Sequence, residues 1–409
     1  MADPHPDLEV RRLLVYLGTA MIASGQPVGE VEDEVREVGV ALGYPDVQIA
    51  AAPTGINLNL ASGQPATFES VNRPLRLDQA AEVRTIRYRL LSGDLTAGQT
   101  IERLLDVRAM RPPYPAWLAS LGWIGISTGI AFILQPGWPN IAFAAVGGIL
   151  VVGLHRLSQR FALIATLLPT LAAFVLACLV FLAADAGLLE GPLRTLLPPL
   201  AVLLPGALLV TGMSELAAGD MMAGSARVIF GLVQLALFTL GIVAAARVVG
   251  MPAEELTNVR VDEVGWWATP IGLLLIMVGI GVLESPPIRL LPWISIVLVL
   301  TLAAQTVGQL VGPALGSFLG ALGASLGAYL VEAVKPQLPR LVVFLPSFWL
   351  LVPGSLGLLS TTQLAVDPDR AGATATGVFI VVCALALGLL VGSAVAQSVR
   401  GLRRRLHRV

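Results

Sequence analysis

The chain changes character near residue 112. Before that point apolar positions recur with helical or alternating spacing among many charges; after it, long apolar runs follow one another with few charges. In the first region "LEVRRLLVYLGTAMIASG" has a helical pattern that stops at Gly25. "VGEVEDEVREVGVALGY" sets Val31, Val35, Val38 and Leu42 on one face of an amphipathic helix. The period then switches. "VQIAAAPTGINLNLASGQPATFESV" alternates and is punctuated by glycine and proline, which predicts two or three short strands. "LDQAAEVRTIRYRLLSGD" and "TAGQTIERLLDV" return to helix, the second with Thr96 as its N-cap, and "RPPYP" ends the region. These elements predict a small α+β domain over residues 1–112.

From Trp117 onward the apolar runs cover residues 117–135, 138–154, 161–184, 195–213, 223–249, 266–284, 289–304, 307–331, 341–361 and 372–398. Ten runs of about 20 residues each predict an α-helical multi-pass membrane protein with ten transmembrane helices. Composition agrees: 56% of the 409 residues are hydrophobic, 13% are charged, and the mean hydropathy is +0.80. The first 112 residues hold 15 of the 27 acids, as a water-facing domain should.

Lys and Arg set the orientation. With residues 1–112 in the cytoplasm, the inside loops carry Arg156, Arg160, Arg227, Arg289, Lys335 and Arg340, and the tail at residues 399–409 adds five arginines. The outside loops carry Arg194, Arg247, Arg260 and Arg370, so the bias is eleven to four. Both termini are expected in the cytoplasm of a bacterial cell, with the spans in its inner membrane.

Two segments echo each other. "LLPGALLVTGMSEL" superposes on "LVPGSLGLLSTTQL" at an offset of 148 residues, matching Pro205 to Pro353 and Gly206 to Gly354. The offset predicts two inverted five-helix repeats, over residues 113–250 and 264–398. Counted from Arg194 and Arg340, both Pro-Gly breaks fall roughly 17–20 Å deep, near the middle of the hydrocarbon core. A proline frees backbone carbonyls, and the half-helix after it begins with free N–H groups that suit a substrate carboxylate. Glu215, about 15 Å beyond Pro205, is expected near the cytoplasmic edge. With Asp220 it is a candidate for proton coupling; the plainer reading is a pair of solvated loop charges.

Other chemistry is thin. Cys178 and Cys383 each stand alone in an apolar run, His5, His155 and His407 lie in tails or loops, and no metal, cofactor or phosphate-loop pattern is present. "MADPHPDLEVRR" is not a signal peptide, and no basic patch suits nucleic acid. Gly308, Gly312, Gly316, Gly320, Gly323 and Gly327 form a small-residue face for close helix packing. Ser24, Thr54 and Ser62 have no nearby His, so no nucleophile–base pair can be assembled in the first region.

The order of these motifs resembles the threonine/serine exporter family. "SGQPVGEVEDEVREVGVALGY", "VQIAAAPTGINLNL", "LTAGQTIERLLDV", "LLPGALLVTGMSELAAGDMMAGSARV" and "PSFWLLVPGSLGL" carry the resemblance across nearly the whole chain. It implies export of L-threonine and L-serine, with small peptides as an extension, driven by the proton motive force. It carries over Pro205, Gly206, Glu215, Gly219, Asp220, Gly224 and Arg227 as motif positions. Relatives often have Asn or Arg where this chain has Thr211 to Ser214.

The expected site combines these strands. Pro205, Gly206, Pro353, Gly354 and Ser355 form the helix breaks that hold the substrate carboxylate. Thr211, Ser214, Thr361 and Thr362 bond its hydroxyl, and Glu215 or Asp220 carries the proton. The expected partners are a small amino acid, protons and the lipid bilayer, and an oligomer is compatible with the sequence. The rivals are a dicarboxylate or peptide transporter, a hydrolase acting through residues 1–112, and a passive channel.

Overall fold

The computed structural model describes residues 6–71, 73–252, 256, 259–334, 340–344, 346–351, 358, 362, 376–377 and 379–395. The N-terminal region opens with α1 (Pro6–Ala23) and α2 (Val28–Ala41). Three antiparallel strands follow, β1 (Gln48–Ala52), β2 (Gly55–Asn59) and β3 (Thr67–Ser70), in the order β1-β2-β3. The register pairs Ala52 with Gly55 and Leu58 with Thr67. The region ends with α3 (Leu77–Leu91) and α4 (Ala97–Ala109).

The apolar face of α2 is buried as its spacing demands: Val31, Val35 and Val38 pack with Leu13, Leu14 and Leu17 of α1, and with Ile56 and Leu58 of β2. Thr96 caps α4, its hydroxyl accepting the Gln99 N–H at 3.3 Å. The first turn of α3 belongs to a different core. Leu77, Ala80 and Ala81 are buried with Ile126, Ile276, Val342 and Val343 of the helices that follow.

Those helices are α5 (Ala116–Leu134), α6 (Trp138–Ser158), α7 (Ala162–Asp185), the short α8 (Pro192–Thr195) and α9 (Leu197–Leu200), then α10 (Gly206–Ala218) and α11 (Met221–Val249). Next come α12 (Ala268–Leu283), a 3-10 turn at Ile288–Leu290, α13 (Leu291–Gln309), α14 (Pro313–Val334), α15 (Arg340–Phe344) and α16 (Pro346–Leu351). The last described helix is α17 (Phe379–Val395). Side chains such as Leu163, Ile229, Val233 and Leu274 turn outward, as lipid-facing residues do.

The span count departs from the sequence reading. Among the described residues six helices are long and apolar enough to cross a membrane, not ten. Three shorter apolar helices accompany them: α10, α12 and α17. The causes are visible. The run at 195–213 is cut by Pro198, Pro199 and Pro205, each lacking an N–H, so it yields the fragment α9 and the 13-residue α10. Helix α12 has 16 residues, about 24 Å, short of a hydrocarbon core of about 30 Å. Of the run at 341–361 the described residues are those of α15, α16 and Leu358, so this expected span lies partly outside the described residues. Two inverted five-helix repeats are therefore not the architecture. The protein is an α-helical multi-pass membrane protein whose N-terminal region carries a small, open three-stranded sheet.

Close backbone approach holds the helices in pairs. Helix α5 crosses α12 where Gly129 faces Gly272: a Cβ on either would lie 2.6 Å from the other's carbonyl oxygen. The small-residue face of α14 packs against α13. Gly316 and Gly320 receive the side chains of Gln309 and Gln305.

Candidate functional site

The site begins at the turn between α10 and α11. Helix α10 starts at Gly206 because Pro205 takes the N-cap position, and it ends where Gly219 adopts φ 99°. In that left-handed conformation the Asp220 N–H reaches back to the Glu215 carbonyl at 2.8 Å, and the Gly219 N–H to that of Leu216 at 3.2 Å. Asp220 then precedes the first residue of α11.

Beyond the turn the two helices nearly touch. A Cβ on Gly212 would lie 2.9 Å from the Gly224 carbonyl oxygen, and one on Gly224 would lie 2.6 Å from the Gly212 carbonyl oxygen. This approach brings Arg227 of α11 to Glu215 of α10, with Nε 3.0 Å from Oε2. The pair is dry: the Glu215 side chain is 0% exposed and that of Arg227 is 10% exposed. The charges are in contact, yet neither Nε nor Oε2 has a directed hydrogen-bond partner among the described residues.

The second oxygen is held from far away in the chain. The backbone N–H of Val28, first residue of α2, donates to Glu215 Oε1 at 3.0 Å. The N-cap of α2 is Pro27, which offers no side-chain cap, so Glu215 satisfies one of the helix's orphan donors. The carboxylate thus sits between a guanidinium and the positive end of a helix, and both favour its charge against the cost of burial. Gly29, in the same turn of α2, lies so near Asp220 that a Cβ would be 2.6 Å from Oδ2.

A cavity of about 430 Å³ opens beside these groups. One wall is N-terminal: Gly25, Pro27, Gly29, Glu30, Glu32 and Asp33. The opposite walls are Thr211, Ser214, Glu215, Ala218 and Asp220, then Ser325, Ala328 and Tyr329 of α14, Phe344 of α15, and Leu389, Leu390 and Ser393 of α17. Every ionisable acid or base among these described lining residues, phenol aside, is a carboxylic acid: Glu30, Glu32, Asp33, Glu215 and Asp220. Glu32 also accepts the Ala51 N–H at 2.8 Å, and Asp33 pairs with Arg36 at 2.9 Å. The Ser214 hydroxyl donates to the Thr211 carbonyl at 2.8 Å, leaving its lone pairs open to the cavity. No group of three or more His, Cys, Asp or Glu among the described residues is placed to hold a metal ion.

Four residues singled out from the sequence therefore line one cavity: Thr211, Ser214, Glu215 and Asp220. Pro205 and Gly206 are not part of its lining; they start α10 and so set where its hydroxyls lie. Thr362 is buried, 1% exposed, and is also not in the lining. Pro353, Gly354, Ser355 and Thr361 lie outside the described residues. Sequence reasoning missed the wall from Gly25 to Asp33. Its signal was the glycine and proline of "SGQPVGE", which reads as a mere connector between helices.

The chain matches the family described as "Putative threonine/serine exporter" over residues 12–249, which takes in the N-terminal region, the α10–α11 turn and the whole of α11. It is also similar to a protein of Mycobacterium tuberculosis (strain ATCC 25618 / H37Rv) named "Probable threonine/serine exporter", with 27% identity over 285 residues. That match covers 67% of this chain and 53% of the relative, so the chain spans about half of the relative's length. No solved structure matches the chain. The family's description names exporters and gives no support to the rival reading of residues 1–112 as an enzyme. Because the matched segment exceeds half of the 409 residues, the chain belongs to this threonine/serine exporter family.

Proposed function

We propose that the protein is a secondary active exporter of L-threonine and L-serine, coupled to the proton motive force, with the cavity as its substrate site. The observation that carries this reading is the convergence of Thr211, Ser214, Glu215 and Asp220 on one space of about 430 Å³. A small hydroxy amino acid presents an ammonium, a hydroxyl and a carboxylate. The carboxylates at the wall, Asp220 with Glu215 behind it, suit the ammonium, and the Ser214 and Thr211 hydroxyls suit the side chain. A carboxylate lining disfavours a dicarboxylate, which would meet like charge with no cation on the described walls. Asp220 is half-buried at the wall and Glu215 is fully enclosed, so Asp220 is the better placed of the two to exchange a proton with water. With the N-terminal region in the cytoplasm of a bacterial cell, the cavity lies on the side from which an exporter loads.

The test is threonine flux in proteoliposomes, with and without an imposed pH gradient. Uphill flux that collapses with a protonophore is the expected result. Absence of threonine and serine flux from folded protein refutes the substrate, and flux that never runs uphill identifies a channel. Competition by unlabelled dipeptides and by succinate separates the neighbouring substrate classes.

A further inference from the structure

We propose that the N-terminal region is the gate of this cavity, latched shut by two polar contacts and hinged on an apolar one. The inference rests on reading the cavity as the transport site. The wall from Gly25 to Asp33 is the one wall of the described cavity that membrane helices do not build. Its attachment to them is of two kinds. At the first turn of α3, Leu77, Ala80 and Ala81 are buried among Ile126, Ile276, Val342 and Val343, a contact of dispersion and excluded water that tolerates rotation.

The remaining contacts are polar and discrete, one at the start of α2 and one on α3 a turn beyond the apolar contact. The Val28 N–H holds Glu215 Oε1 at 3.0 Å, and Arg84 of α3 joins Glu34 of α2 at 3.0 Å to Glu332 of α14 at 2.5 Å. Glu332 is 8% exposed, so the second contact is also sheltered from water. Because α1, α2, β2 and α3 share one core, the region moves as a body. Parting Val28 from Glu215 and Arg84 from Glu332 lets that body tilt about α3 and lifts the Gly25–Asp33 wall off the cavity. A solute with an ammonium group is drawn to the wall that carries Asp220 and, behind it, Glu215, the carboxylate that the latch uses.

The test reads access to the cavity and needs no substrate. In full-length protein with Cys178→Ala and Cys383→Ala, a thiol is placed on the far wall by Ser325→Cys, a position 7% exposed. Its rate of labelling by a membrane-impermeant maleimide is measured. Val28→Pro deletes the first latch donor and fits the backbone: Val28 is the first residue of α2, and Pro27 at φ −58°, ψ 143° already has the conformation required before a proline. Glu332→Gln weakens the second latch independently, should the proline variant fail to fold. Thr96→Ala loosens the N-terminal region away from the cavity and serves as control.

Each latch variant is expected to label about ten-fold faster or more, and the control at the parental rate. Unchanged labelling in the folded latch variants overturns the gate. Equal acceleration by Thr96→Ala overturns it too, because the opening would then be general loosening. Faster labelling in a protein that carries no threonine or serine leaves the gate standing and refutes the proposed function alone.

Discussion

Consider first the removal of each partner from the Glu215–Arg227 pair. The perturbation is a double-mutant cycle: Glu215→Gln, Arg227→Met, and both together. Glu215 is 0% exposed in its side chain, so solvent screening does little to soften the loss of Arg227. Breaking a buried pair by deleting one partner costs about 3–5 kcal/mol. The Val28 N–H still holds Oε1, and a hydrogen bond to a charged group contributes about 1.5–3 kcal/mol. That puts Arg227→Met at the lower end, about 3 kcal/mol. Glu215→Gln should cost less, about 2 kcal/mol, because Arg227 retains some access to water and can reorient. The double variant leaves no stranded charge and should cost only about 2 kcal/mol, mostly the weakened bond to Val28.

The singles sum to about 5 kcal/mol against about 2 for the pair, a coupling near 3 kcal/mol. The assay is reversible unfolding in mixed micelles, with ligand-free protein throughout. A coupling below about 0.5 kcal/mol would refute the reasoning, since contacting charges in one network cannot be additive. It would mean that the 3.0 Å approach is incidental and that each side chain has its own partner.

Three further outcomes follow from the same geometry. Asp220→Asn should abolish the dependence of threonine flux on an imposed pH gradient while leaving threonine binding measurable by calorimetry; an intact pH dependence removes Asp220 from the coupling. Ser214→Ala and Thr211→Val should each raise the KM for threonine about five-fold, the equivalent of one net hydrogen bond of about 1 kcal/mol, with less effect on a substrate without a hydroxyl. Gly272→Ala should lower stability by about 1–3 kcal/mol through overpacking, because its Cβ would lie 2.6 Å from the Gly129 carbonyl oxygen on α5; a thermal scan in detergent reads it.

Part of the candidate site was legible because an acid in an apolar run is conspicuous. Glu215 and Asp220 stood out for that reason, and Thr211 and Ser214 lie one turn and one residue before Glu215 on α10. Arg227 could be matched to Glu215 only once Gly219 was known to fold the chain back on itself. The span count failed on a different point. Hydropathy registers that "LLPPLAVLLPG" is greasy, but not that its prolines leave a four-residue α9 and a delayed α10. In α12 the apolar run is genuine and only the length falls short. The Pro205–Gly206 break was visible; it sets where α10 begins, and neither residue is in the lining of the cavity.

The wall from Gly25 to Asp33 was hidden for a reason of geometry. Periodicity reports what lies radially around a helix, and in α2 it found Val31, Val35 and Val38 turned toward α1 and β2. The donors at a helix N-terminus point along the axis and belong to the backbone, so they leave no trace in the pattern of side chains. Val28 reads as one more apolar residue at the start of an amphipathic helix, although its N–H is 3.0 Å from a carboxylate 187 residues away. The same geometry favours one of the wall's own acids. Glu30 lies in the first turn of α2, where the helix dipole favours negative charge, whereas Glu32 and Asp33 lie beyond that turn and are met by the Ala51 N–H and by Arg36. The charge of Glu30 and the helix start that grips Glu215 thus follow from one feature, the direction in which α2 points.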